Sequence, residues 1–234
     1  MTAPIAARER TQLHALAYLQ LAGRFASPAY WGADDGYLVR CLEEAGWHDA
    51  ARLAGEADAA AITAPDAFQR AFLRIADRSL PPPYETTYTS RGSPADLADI
   101  AGFYRAFGVE IAGEKPDHLV AELEYLALLA LREAHAREAE DDEHAALCAQ
   151  ARASFLRDHA GCWLDAFAER IRAEHGEGAC ELMVRAAACA IAADAREHHV
   201  APSVASAQPD VPFPGPQVDL SRPPCDDGSA EDLD

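Results

Sequence analysis

Three ionisable residues, Asp117, His118 and Glu122, stand within six consecutive positions of this 234-residue chain, directly after Pro116. Their chemistry is acceptance of hydrogen bonds and exchange of protons. Two carboxylates can receive cationic donors, and an imidazole can be held in one tautomer. Pro116 suits the first turn of a helix, where its missing N–H would go unpaired in any case. Asp117 would then lie where the helix dipole favours negative charge, and His118 and Glu122, four apart, would pair on one face. Two readings follow. One is a capped helix start with an ordinary ion pair. The other is a polar notch between two helical units whose carboxylates accept hydrogen bonds from a guest.

A second constellation joins Pro83-Tyr84-Glu85 to Phe103-Tyr104 and Phe107. Aromatic rings beside an acid on an irregular loop read as a candidate peptide groove. Metal ligation is weakly signalled. Glu140, His144 and Cys148 could face one way along a helix, and His198-His199 closes the last one, but neither has a paired partner motif. No metal site is expected. His14 precedes His48-Asp49 by a spacing similar to that of metal-dependent HD-type phosphohydrolases, which supplies the alternative, enzymatic reading. There is no Gly-rich phosphate loop, no Gly-x-Ser-x-Gly elbow and no dinucleotide fingerprint. Neither catalysis nor a cofactor is expected.

The elements that must position these residues read as helices. Ala, Leu, Glu and Arg dominate, and alternating β-branched runs are missing. Helical patterns cover Arg8 to Phe25, Tyr37 to Ala45, His48 to Ala60 and Asp66 to Ile75. The prolines of Leu80 to Ser90 demand an extended loop. Ser93-Pro94 opens a helix that stops at Gly108. Val109 to Lys115 is a connector. Three long helices then follow without proline: Asp117 to Glu140, Glu143 to Glu174 and Glu177 to His198. Their expected buried stripes are Leu119, Leu123, Leu126 and Ala130; Phe155, His159, Trp163, Phe167 and Ile171; and Leu182, Ala186, Cys189 and Ala193. The segment from Val200 to Asp234 holds seven of the fifteen prolines and a net charge of −6. It reads as disordered or as an extended strap anchored by Val211, Phe213, Val218 and Leu220.

The organisation expected is therefore an all-α fold. Residues 1–199 form one helical-bundle domain, with halves 1–108 and 116–199 about the connector 109–115. Residues 200–234 form an acidic, Pro-rich tail. The formal charge of −19, from 39 acids against 20 bases, repels phosphate backbones and disfavours a nucleic-acid partner. No run is apolar and long enough for membrane insertion, no apolar leader opens the chain, and none of the six cysteines forms a Cys-x-x-Cys pair. A cytoplasmic protein with reduced thiols is expected, with Cys148, Cys180 and Cys189 as packing residues.

Three segments in order carry a resemblance: Pro82-Pro83-Tyr84-Glu85, then Asp99-Ile100-Ala101-Gly102-Phe103-Tyr104-Arg105-Ala106-Phe107-Gly108, then Glu114-Lys115-Pro116-Asp117-His118 running into Glu122-Leu123-Glu124-Tyr125. Together they resemble the TorD/DmsD/NarJ family of molybdoenzyme maturation chaperones, closest to members that serve type II dimethyl-sulfoxide-reductase-like enzymes. The resemblance runs from about Leu13 to Asp194 in helix order, and the tail lies outside it. It implies a TorD-like bundle, monomeric or homodimeric, without catalysis. The implied partner is the apo catalytic subunit of a molybdoenzyme and its twin-arginine leader, held in the cytoplasm until the cofactor is inserted. Such a leader is cationic at one end and apolar in the middle, so an acidic body with an aromatic groove complements it. The expected peptide-binding residues are Tyr84, Glu85, Phe103, Tyr104, Asp117, His118, Glu122 and Tyr125. Glu85 and Asp117 are the expected arginine contacts, and Tyr84 and Tyr104 the apolar walls.

Overall fold

The computed structural model describes residues 7–31, 36–65, 82–89, 94–110 and 115–203. Its helices are α1 (Ala7–Ala26), α2 (Tyr37–Glu44), α3 (His48–Thr63), α4 (Pro94–Ala106), α5 (Leu119–Glu138), α6 (Asp142–Asp158), α7 (Leu164–His175) and α8 (Ala179–Glu197). The fold is all-α, as its composition requires, and no strand occurs among the described residues. The segment Asp66 to Ile75 and the tail beyond Ser203, with its four anchor residues, lie outside the described residues.

Helix α5 is central because its apolar residues leave little of it for solvent. Leu119, Leu123, Leu126, Leu129 and Ala130 are all buried. Each such leucine withdrawn from water contributes on the order of 2 kcal/mol. The most extensive packing in the bundle is α1 on α5, followed by α3 on α8, α5 on α6 and α7 on α8. One core cluster therefore draws side chains from both sides of the connector: Tyr18, Leu38 and Trp47 with Leu126, Phe155, Trp163 and Ile191. A short turn joins α5 to α6. Glu140 adopts a left-handed conformation (φ 57°), and the Asp141 carboxylate caps α6 by accepting the His144 N–H at 3.1 Å.

Charge is also buried between these helices. Asp194 of α8 is fully buried and accepts the Tyr18 hydroxyl of α1 at 2.8 Å. Arg152 of α6 lies 3.4 Å from Asp194 and 3.6 Å from Glu133 of α5, and its Nε donates to His198 Nε2 at 2.9 Å. This network ties four helices into one register, since a slip of any of them would strand a buried charge.

Two helical expectations are corrected. Glu143 to Glu174 is not one helix. At His159 the backbone leaves helical angles (φ −129°, ψ −90°), and a tight turn, Ala160–Cys162, separates α6 from α7. A Cβ on Gly161 would fall on the Leu156 carbonyl oxygen and within 2.7 Å of Pro202 Cγ, so only glycine fits there. The chain after α8 folds back onto this turn, where the Ser203 N–H donates to the Arg157 carbonyl at 2.9 Å. The second expected stripe is nevertheless buried in full, because Phe155, His159, Trp163, Phe167 and Ile171 all face inward across the break. The third stripe is out of phase. Ala186 is buried as expected, but Leu182, Cys189 and Ala193 are only half-buried, while Met183, Val184, Ala187, Ala190 and Ile191 face the core. A helix this rich in alanine carries little amphipathic contrast to set its phase. Cys148 and Cys180 are buried as expected, whereas Cys189 is half-buried. Among the described residues no helix is long and apolar enough to cross a membrane.

Candidate functional site

The three segments that carry the resemblance meet at one joint. Residues 82–89 lie antiparallel to residues 115–119 through an isolated bridge between Tyr84 and His118. The Glu85 N–H donates to the Asp117 carbonyl at 2.9 Å, and the Leu119 N–H donates to the Pro83 carbonyl at 3.0 Å. Prolines bar both segments from an α-helix, but the expected extended loop is not extended throughout: Glu85–Thr87 form a single 3-10 turn, and the His118 N–H closes a turn on the Lys115 carbonyl at 3.1 Å. Helix α4 closes one side. Tyr104 donates its hydroxyl to the Pro116 carbonyl at 2.7 Å, and the Tyr125 hydroxyl of α5 donates to the Phe103 carbonyl at 2.9 Å. Burial pushes the ionisation of both phenols above its ordinary value, so they stay neutral donors.

Pro116 and Asp117 precede α5 instead of starting it. His118 is its N-cap, with Nδ1 accepting the Val120 N–H at 3.2 Å. That bond requires an unprotonated Nδ1, so the ring is held as one tautomer. The expected pairing of His118 with Glu122 is thereby replaced. The Glu122 carboxylate accepts the Trp163 indole N–H at 3.0 Å, deep in the core. Asp117 is fully buried and accepts Thr86 twice, from the hydroxyl at 2.5 Å and from the backbone N–H at 3.3 Å.

Behind these residues His159 reaches out of the break between α6 and α7. Its Nδ1 lies 3.2 Å and 3.3 Å from the two Glu85 oxygens, and its Nε2 lies 3.5 Å from Asp99 of α4. Phe103 and Phe155 pack on its ring. Glu85, Asp117 and Glu122 thus share a dry corner with one imidazole. Burial raises the Glu122 pKa well above the ordinary carboxyl value, and the charges of Glu85 and Asp117 raise it further. The Trp163 N–H opposes this. The neutral, protonated form of the Glu122 carboxyl is therefore the favoured one beside Glu85. The Glu122 oxygen Oε1 has no donor in reach.

All eight expected binding residues fall in or around this joint, but not as a lining. Tyr84, Phe103 and His118 are half-buried, and Lys115 lies over the Tyr84 ring at 5.1 Å. Glu85, Tyr104, Asp117, Glu122 and Tyr125 are at most 2 % exposed. Direct arginine contacts by Glu85 and Asp117, and an open wall at Tyr104, do not match this burial. The bonds they make go to Thr86, His159, Trp163 and the Pro116 and Phe103 carbonyls. Sequence reasoning missed His159, Trp163 and Thr86. In the sequence His159 reads as one residue of a buried stripe, and only the glycine two positions later signals that the helix turns aside there. A separate cavity of about 280 Å³ opens beside Pro202, lined by Cys162, Leu164 and Ile191 among others. It lies near the lower end of ligand-sized cavities.

The residues of the hydrolase alternative are not arranged as ligands. His14 is buried, stacked on Trp47 at 4.6 Å, with its pKa lowered to about 4 chiefly by burial. His48 is exposed and pairs with Glu43 at 2.6 Å. His144 is occupied with its own cap, and His198 with Arg152. Among the described residues no group of three His, Cys, Asp or Glu side chains is placed to hold a metal ion.

Comparison with known proteins agrees with the motif resemblance. The family model described as nitrate reductase delta subunit matches residues 38–169. The chlorate reductase assembly chaperone protein of Ideonella dechloratans is 39 % identical over 90 residues, covering 36 % of this chain and 44 % of that one. The chaperone protein TorD of Vibrio cholerae serotype O1, strain El Tor Inaba N16961, is 35 % identical over 127 residues, covering 51 % of this chain and 54 % of that one. The chain thus spans about half the length of the curated relatives it matches. No solved structure matches it. The matched region contains the whole joint, and more than half of the sequence falls within it; the chain therefore belongs to the nitrate reductase delta subunit family, the TorD/DmsD/NarJ chaperone family.

Proposed function

We propose that this protein is a cytoplasmic, non-catalytic assembly chaperone that binds the apo catalytic subunit of a molybdenum-cofactor oxidoreductase. The observation that carries the reading is the family match across residues 38–169, which encloses every residue of the joint. The segment gripped is the subunit's twin-arginine leader, and the grip delays export until the cofactor is in place. The net charge of −19 favours approach of such a cationic segment at moderate salt. The half-buried rings of Tyr84, Phe103 and His118 offer the apolar contact. The buried acids act behind that surface, holding residues 82–89 against the start of α5, so that the contact surface is formed before the partner arrives.

The test is purification of the tagged full chain from its own cells, with identification and metal analysis of what accompanies it. A catalytic subunit lacking molybdenum should co-purify near stoichiometrically, and cells without the chaperone should lose that enzyme's activity. Purification without any such subunit, together with unchanged molybdoenzyme activity in the deletion strain, refutes the reading.

A further inference from the structure

Asp99 is the outer end of a chain of ionisable groups that runs into the joint. Its side chain is 64 % exposed on α4, and its Oδ2 lies 3.5 Å from His159 Nε2. His159 is 1 % exposed and turns its other nitrogen to Glu85, which adjoins Glu122. Three buried polar atoms of this corner have no hydrogen-bond partner: His159 Nε2, Asp117 Oδ1 and Glu122 Oε1. The contact between Asp99 and Nε2 is within ion-pair range but not aligned as a hydrogen bond. Even with Glu122 protonated, the buried acids Glu85 and Asp117 outnumber the one imidazole, which leaves the corner short of positive charge. Its imidazole touches a carboxylate that solvent, and any cation from solvent, can reach.

We propose that Asp99 is the docking carboxylate for an arginine of the partner polypeptide, and that His159 relays its occupation to Glu85 and Glu122. The proposal rests on the reading above that the protein grips a cationic segment. A guanidinium can take both oxygens of a carboxylate at once, which a loosely held aspartate permits. Phe103 lies four residues on, on the same face of α4, half-buried with its edge against the His159 ring. It offers a surface for the apolar stem of the arginine. Once Asp99 is captured, the acid opposite Nε2 is neutralised and the imidazole is balanced by Glu85 alone. The surface event is then felt by the residue that holds the 82–89 strip in place.

The experiment uses the full chain with isotopically labelled histidine. The probe is a synthetic peptide of two adjacent arginines followed by an apolar Leu/Ala stretch. The His159 ring signals, assigned through contacts with Phe103 and Phe155, should move on titration and saturate at the affinity read by fluorescence anisotropy. Asp99→Asn, an exposed change that should not disturb folding, should abolish the movement and weaken binding by about tenfold. Glu124→Gln, at an exposed acid of the neighbouring α5, should change neither. Replacing both peptide arginines by glutamine should reproduce the Asp99→Asn result. If the peptide binds Asp99→Asn as tightly as the wild type, or binds while the His159 ring stays unmoved, the relay is overturned and the chaperone reading survives. If the peptide does not bind and no apo subunit co-purifies with the tagged chain, both are overturned.

Discussion

Replacing Glu122 by glutamine tests the protonation of this buried carboxyl directly. The Glu122 carboxyl is 1 % exposed, accepts the Trp163 N–H at 3.0 Å and faces Glu85. Its pKa is raised by burial first and by Glu85 and Asp117 second. The folded state therefore keeps a proton that the unfolded chain releases at the ordinary carboxyl pKa. Stability from this group is complete below that ordinary value and is lost as pH rises through the raised one. Glutamine keeps an oxygen for Trp163 and gives Glu85 a permanent N–H donor, so the variant has no proton to lose. Wild type and Glu122→Gln should be equally stable near pH 5. Near pH 8 the variant should be more stable by about 2 kcal/mol, the size of one buried polar group left unmatched. For a chain of this length that corresponds to roughly 4–8 °C in Tm. Urea and thermal melts followed by circular dichroism, at both pH values, read the difference. If Glu122→Gln is less stable than wild type by the same amount at both pH values, Glu122 is needed as an anion and the protonated-carboxyl account is wrong.

Four further outcomes are expected. Asp117→Ala removes the acceptor of both Thr86 donors; it should cost about 1–3 kcal/mol in urea melts and raise hydrogen exchange selectively in residues 82–89. Gly161→Ala forces a Cβ onto the Leu156 carbonyl and Pro202; a loss of about 1–3 kcal/mol is expected, and pairing it with Pro202→Ala should not restore stability, because the backbone clash remains. Asp194→Ala leaves Arg152 with its main buried partner gone and should cost about 3–5 kcal/mol in the same melts. His14, with its pKa lowered to about 4, contributes stability that is complete above the ordinary histidine pKa and lost as pH falls through about 4. His14→Phe keeps the stack on Trp47, and from about pH 7 to about pH 4 its stability should gain on the wild type by roughly 2–3 kcal/mol in equilibrium melts.

The periodicity of apolar residues, the proline-rich breaks and the glycine stops determined by themselves that this chain is helical and where most of its helices lie. Such signals act within one or two turns of the residue that carries them, so they can be read in a linear string. The order of the three motif segments likewise identified the family and the residues that would meet. What those residues do on meeting was decided in three dimensions. Asp117, Glu85 and Glu122 look like solvent-facing acids in sequence, and nothing in their spacing says that they are buried together. Burial depends on what lands on top of them, here the 82–89 strip, α4 and the break at His159, contributed from up to 74 residues away. His159 shows the same limit from the other side. Its place in a helical stripe is a local property, whereas its departure from that helix is set by Pro202 against Gly161 and by the waiting carboxylate of Glu85. Local chemistry proposes the elements, and long-range packing decides which charges water can reach.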